Sequence, residues 1–137
     1  MIRIEEHTLQ SIGENEYRRY FEESFGLYDE THIPCNIILV LDDNLVVGFA
    51  SWYIHNAVTM YLQCIGFVNN TKKRYSYFCE AIKFLEGKGV SIMGVMYNDN
   101  KTGIIWALRS GFKIIGTRAL SSGSVLVEII KEKQLWP

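Results

Sequence analysis

Two apolar stretches in the middle of the chain, Val58–Val68 and Val90–Tyr97, flank a segment in which Tyr75, Phe78, Cys79, Ile82 and Leu85 recur at three- and four-residue spacing. Strand-like runs around one amphipathic helix make a strand–helix–strand unit. Such a unit closes as a parallel pair with a right-handed crossover. Whatever else the chain folds into must accommodate that pair, so the fold contains a sheet with at least one helix lying against it.

The flanking segments add antiparallel hairpins. Asn36–Leu41 and Leu45–Ile54 are rich in Ile, Val, Leu and aromatic residues, and Asp42-Asp43-Asn44 between them has turn chemistry. Phe112–Ala119 and Val125–Lys131 form a second hairpin across Ser121-Ser122-Gly123-Ser124. Ile2–Glu6 predicts a short first strand. Tyr17, Tyr20, Phe21, Ser24 and Phe25 mark a helix that stops at Gly26, and a further short helix runs from about Lys101 to Ser110, before Gly111. Thr71 is the expected cap of the central helix, which Gly87 and Gly89 close. The predicted order is β-α-β-β-β-α-β-α-β-β. This is an α/β (α+β) class fold, with a mixed, mostly antiparallel sheet, a central parallel pair and flanking helices, in one domain spanning 1–137. Gly66 and Gly94 interrupt the two strands of the crossover, which marks either a bulge or a close approach by a ligand or another backbone, or else packing against a bulky neighbour.

A net charge of −1 and the lack of a longer basic stripe argue against a nucleic-acid partner. Cys35, Cys64 and Cys79 are odd in number and widely spaced in apolar runs, where a thiol serves as a small hydrophobe. With His7, His32 and His55 they form no ligand spacing, so no metal is expected. No apolar run reaches membrane-spanning length and the N-terminus has no leader-like core, so a cytoplasmic protein without a membrane partner is expected. Leu135-Trp136 at the end could dock on the domain or on a second subunit, which leaves a homodimer open.

One local feature asks for an explanation. Lys72, Lys73 and Arg74 stand where the central helix begins, yet a helix N-terminus carries partial positive charge and disfavours cations there. A bound anion removes the conflict, because the first amides of the helix and the cations would both face it. The alternative is a solvated basic helix end.

The run Asn100 to Phe112, N-K-T-G-I-I-W-A-L-R-S-G-F, resembles the segment with which GNAT-family N-acetyltransferases begin the helix after their fifth strand and enter the sixth, with Asn100, Gly111 and Phe112 at matching separation. The element order extends the resemblance over nearly the whole chain. It implies acetyl-CoA as co-substrate and transfer of the acetyl group to an amine of a small molecule or protein. The donor would lie between parted strands, with Lys72, Lys73, Arg74, Tyr75 and Ser76 holding phosphate. Phe67 and Val68 would orient the thioester, and Asn100 and Trp106 would support the cofactor side. Tyr61, Gln63 and Tyr97 are the candidate catalytic groups, together with Cys64 as a water-positioning residue. Glu23, Tyr28 and His55 are the candidates for acceptor binding, although a position among Asn and Ala makes an exposed turn residue the more ordinary reading of His55. Glu22, Asp29 and Glu30 would add local attraction for a cationic amine.

Two departures from the family pattern are visible. Ser76 and Phe78 replace the small residues that let phosphates approach the backbone. Ala107 occupies the position of the tyrosine that protonates the departing thiolate. These losses, with the basic helix start, also resemble small phage-encoded acetyltransferase-like proteins, for which the alternative function is an inactive virion component or host-factor binder.

Overall fold

The computed structural model describes residues 1–68 and 72–133. The elements in chain order are β1 (Ile2–His7), α1 (Leu9–Ile12), α2 (Glu14–Phe25), β2 (Asn36–Asp42), β3 (Leu45–Asn56), β4 (Thr59–Phe67), α3 (Arg74–Glu86), β5 (Ser91–Tyr97), α4 (Lys101–Arg109), β6 (Lys113–Ala119) and β7 (Val125–Lys131). The seven strands form a sheet in the order β1-β2-β3-β4-β5-β7-β6. The β4–β5 pair is parallel, and β1–β2, β2–β3, β5–β7 and β6–β7 are antiparallel. The expected sheet class and its parallel crossover are therefore present.

Asp43 and Asn44 take φ of 50° and 67°, the left-handed pair that a two-residue hairpin turn demands. One element departs from expectation. The chain after β1 first forms the four-residue helix α1, so two helices precede β2 where one was predicted. Thr8 Oγ1 accepts from the Ser11 amide at 3.1 Å, and Ser11 Oγ accepts from the Thr8 amide at 2.9 Å. This is a reciprocal cap with serine where glutamate or glutamine usually stands.

The residues group into two compact units, Met1–Tyr53 with Leu62–Phe84, and Ile54–Tyr61 with Leu85 onward. In the first, Tyr17, Tyr20 and Phe21 of α2 bury themselves with Ile37, Leu39 and Leu41 of β2, Phe49 of β3 and Val68. The intervening β2 residues Ile38 and Val40 are equally buried. Both faces of this strand are thus covered, which explains its continuous apolar run. On α3 the buried positions are Tyr77, Phe78, Ala81, Ile82 and Leu85, while Tyr75 and Cys79 are half-buried. The apolar face is centred on Tyr77 rather than Tyr75, because three aromatic residues in four leave the helical phase ambiguous. Thr71, the expected cap, lies outside the described residues, as do Leu135 and Trp136.

In the second unit, β5 pairs with β7 from Ile92–Lys131 to Tyr97–Leu126, which sets Gly94 opposite Ile129 in a buried position. Asn100 caps α4 by accepting from the Gly103 amide at 3.1 Å. Replacing it with alanine removes that acceptor, and urea denaturation of Asn100→Ala should show a loss of about 1 kcal/mol.

Among the cysteines, Cys35 is exposed and Cys64 and Cys79 are partly buried. The packing role expected of all three fails for Cys35, which sits just before β2 begins. No helix among the described residues is long and apolar enough to cross a membrane.

Candidate functional site

The parallel register between β4 and β5 covers three pairs only, Thr59–Ser91, Met60–Ile92 and Tyr61–Met93. From Leu62 onward β4 lies outside that register. Gln63 and Cys64 fall on this part of the strand, in the first unit.

A polar cluster is built there from four elements. Tyr17 comes from α2, His32 from the segment between α2 and β2, Ser51 from β3 and Cys64 from β4. Tyr17 Oη is 2.6 Å from His32 Nε2 and 3.6 Å from Cys64 Sγ. Ser51 Oγ is 3.2 Å from the same sulfur and 3.5 Å from His32 Nε2. Tyr17 and Ser51 are fully buried and His32 is half-buried. The His32 ring stacks on Tyr17, with centroids 5.8 Å apart and planes 19° apart, and packs against Phe21 at 5.1 Å. Burial holds the His32 imidazole below its ordinary value, opposed by the nearby Asp29 charge. Burial raises the Cys64 thiol, against the pull of the Ser51 and Tyr17 hydroxyls, and raises the Tyr17 phenol far above its usual range. At neutral pH all four groups are uncharged.

The segment carrying His32 is held at both ends. Asp29 Oδ1 accepts from the Thr31 amide at 2.9 Å, and the His32 amide donates to the Asp29 carbonyl at 2.9 Å. Tyr28 Oη donates to the His32 carbonyl at 3.3 Å. Gln63 Nε2 donates to the Ile33 carbonyl at 3.0 Å, and its Oε1 accepts from the Cys35 amide at 3.4 Å. Gln63 therefore fastens this segment to β4, and Tyr28 braces it.

The acids expected to draw a cationic amine are otherwise engaged. Glu23 pairs with Arg19 at 3.0 Å, Glu22 with Arg18 at 3.2 Å, Glu30 with Arg18, and Asp29 with Thr31. His55 is exposed, at the end of β3 rather than in a turn, and belongs to the second unit. So do Tyr61, half-buried opposite Met93, Tyr97, 52% exposed on β5, and Trp106, half-buried on α4. The structure thus brings together Gln63, Cys64 and Tyr28 around His32. In the sequence His32 is one of three scattered histidines, since its partners lie 15, 19 and 32 residues away and no local spacing points to them.

Lys72, Lys73 and Arg74 are exposed at the start of the thirteen-residue helix α3, as is Ser76. Lys73 Nζ lies 4.0 Å from Asp42 Oδ2, with its side chain 71% exposed. Asp42 accepts from Tyr77 Oη at 2.7 Å, and this bond holds its carboxyl below the usual range. Phe78 is buried and stacks with Tyr75, ring centroids 6.5 Å and planes 16° apart. Of the residues meant to orient a thioester, Val68 is buried with its amide donating to the Val47 carbonyl at 3.0 Å, and the Phe67 carbonyl accepts from Ser24 Oγ at 2.7 Å. Asn100 is occupied as a helix cap, and Ala107 is a fully buried methyl group.

No protein-family model matches the chain, and no curated protein matches it in sequence. Solved structures do. The ribosomal-protein-S18-alanine N-acetyltransferase of Escherichia coli aligns with a TM-score of 0.75 at 12% identity, over 100% of this chain and 97% of that one. A GNAT-family acetyltransferase from Bacillus cereus ATCC 10987 aligns at 0.65 and 17% identity, over 98% and 99%. A Bacillus anthracis protein assigned as a streptothricin acetyltransferase, solved in complex with acetyl coenzyme A, aligns at 0.59 and 18%, over 76% and 65%. Identities this low speak of backbone architecture alone. On that architecture, with its parallel pair, its element order and full-length superposition, the chain has the fold of the GNAT-family acetyltransferases.

Proposed function

We propose that the protein is an acetyl-CoA-dependent N-acetyltransferase that passes an acetyl group to an amine. The observation that carries this reading is the combination of the GNAT fold with an exposed basic trio at the opening of α3. Lys72, Lys73 and Arg74, with the first amides of α3 and the exposed Ser76 hydroxyl, would hold the donor's phosphates. The donor supplies the activated thioester. This chain supplies a stretch of β4, from Leu62 to Phe67, that lies outside the parallel register.

Acetyl-CoA at 100 times its dissociation constant should stabilise the fold by about 2.7 kcal/mol, visible as a rise in melting temperature. Replacing Lys73 and Arg74 together by alanine should weaken acetyl-CoA about tenfold or more in a calorimetric titration, since charge-assisted contacts are lost. Unaltered affinity in the double variant would contradict the phosphate assignment. Ala107 in place of a proton-donating tyrosine favours a second reading, a GNAT-like binder without turnover. A melting-point rise without acetyl transfer to any amine would support it.

A further inference from the structure

We propose that His32 is an acid-sensitive latch: its imidazole, seated among Tyr17, Ser51 and Cys64, fastens the segment 26–35 to α2, β3 and β4 while neutral, and releases that segment on taking up a proton. The latch goes beyond the acetyl-transfer reading and does not depend on it.

Residues 26–35 connect α2 to β2 without a helix or a strand of their own, so no backbone ladder holds them to the sheet. The turn at Asp29 fixes their local shape through the Thr31 and His32 amides, but not their position. Position comes from side chains. Gln63 on β4 bonds the Ile33 carbonyl and the Cys35 amide, Glu30 pairs with Arg18, and the Tyr28 ring packs edge-on against Phe21 at 5.1 Å with the Arg18 guanidinium 4.7 Å above it. The His32 ring adds the deepest attachment, bonding at Nε2 and stacking on Tyr17. Imidazole is the side chain whose charge ordinarily changes between about pH 5 and 8, which sets this attachment apart from the others.

The geometry shows what a proton does there. A separation of 2.6 Å is that of a phenol donating to the lone pair of a neutral imidazole, so Nε2 accepts from Tyr17 and the ring carries its hydrogen on Nδ1. The basic nitrogen is therefore the one that the phenol hydrogen already occupies. To admit a proton at Nε2 the Tyr17 hydroxyl must turn away, toward Cys64 Sγ at 3.6 Å or toward Ser51, whose own hydroxyl lies 3.2 Å from that sulfur. A short bond is exchanged for a long one to a weak acceptor.

The imidazolium also finds no counter-charge in its seat. The titratable groups facing the ring are Tyr17 from α2, Tyr28 and Asp29 from its own segment and Cys64 from β4, while β3 contributes the non-titrating Ser51. Burial raises the Tyr17 phenol and the Cys64 thiol, so neither becomes an anion where imidazole takes up a proton. Asp29 acts on the ring only as a nearby charge, its Oδ1 engaged by the Thr31 amide at 2.9 Å and hydroxyl at 2.6 Å. Burial outweighs that charge and holds the seated ring below its ordinary value. A released ring binds its proton more readily than a seated one. The latched form is therefore fully favoured above about pH 6.5, and that preference is lost as pH falls from there to the lower midpoint of the seated ring.

The test uses the whole chain without acetyl-CoA, followed by nuclear magnetic resonance from about pH 7.5 to about 4.5, the range that spans imidazole titration. Side-chain nitrogen-15 spectra should show neutral His32 with its hydrogen on Nδ1, titrating at a lower pH than in the urea-unfolded chain. Backbone relaxation should show residues 27–35 passing from ordered to mobile as the ring is protonated, with β2 and β3 still ordered. The released fraction should grow by up to about tenfold per pH unit below about 6.5, since one proton is taken up on release. Tyr17→Phe, which keeps the ring stack and removes the phenol hydrogen, should raise the midpoint, and in His32→Gln the order of the segment should not change across this range. A seated ring that titrates at or above the unfolded value, a neutral ring with its hydrogen on Nε2, or a segment that stays ordered around a protonated ring would overturn the latch. So would loss of order throughout the sheet at the same pH, or the same pH response in His32→Gln. Each of these is read without any acetyl transfer, so the latch can fail while the acetyltransferase reading stands, and the reverse.

Discussion

Phe49→Ala should lower the unfolding free energy by about 3–5 kcal/mol, a large part of what a domain of this size possesses. Phe49 is fully buried in β3, opposite Leu39 in the hairpin register. Its ring meets Tyr17 edge-on at 5.5 Å and stands 6.3 Å from Phe21 and 6.1 Å from Phe25. Removing it forfeits the transfer free energy of the ring and opens a cavity between β3 and α2 that these aromatic neighbours cannot collapse into without leaving their own contacts. Because Tyr17 also anchors His32, the variant should loosen the polar cluster. Guanidinium unfolding measures the effect, and a loss under about 1 kcal/mol would show that α2 packs on the sheet in some other way.

The second large effect is expected at Gly66→Ala. A β-carbon there would stand 2.8 Å from Ser24 Cβ and 2.9 Å from Phe49 Cε1, distances that packed atoms do not tolerate. Either α2 moves off β4 or the strand shifts, and overpacking of this kind costs about 1–3 kcal/mol. The bond from Ser24 Oγ to the Phe67 carbonyl, 2.7 Å long, would be strained by the same displacement. Ser24→Gly removes two of the three opposing atoms and leaves Phe49 Cε1, so the double variant should still be destabilised, but by less than the sum of the two single changes. Strict additivity in denaturation experiments would contradict the close approach. Of the two sequence-based readings of Gly66, packing against a bulky neighbour is the one the coordinates support.

The sheet was legible because it rests on periodicity and turn chemistry, both local. Asp43-Asn44 announced its hairpin through residue types that tolerate positive φ, and the strand–helix–strand pattern around Ile82 and Leu85 announced the parallel pair. What escaped was non-local or weakly marked. Helix α1 is four residues long and is signalled only by a Thr8–Ser11 cap. The buried face of α3 includes Tyr77, which the sequence does not single out because its neighbours Tyr75 and Phe78 satisfy a helical spacing of their own. The engagement of Glu22 and Glu23 was latent in their four-residue spacing from Arg18 and Arg19, a pattern that stabilises a helix face as readily as it attracts a substrate. His32 could not be found at all from the sequence, since four separate elements must fold before Tyr17, Ser51 and Cys64 converge on it.

Acetyl transfer is tested most directly by following free thiol and acetylated amine together when the purified chain is mixed with acetyl-CoA and a panel of small-molecule and peptide amines. The prediction is that both products appear in equal amounts, that omitting the amine abolishes thiol release, and that the Lys73→Ala, Arg74→Ala double variant requires more acetyl-CoA to reach the same rate. Correctly folded protein that releases no thiol with any amine, at acetyl-CoA concentrations that raise its melting temperature, would contradict it.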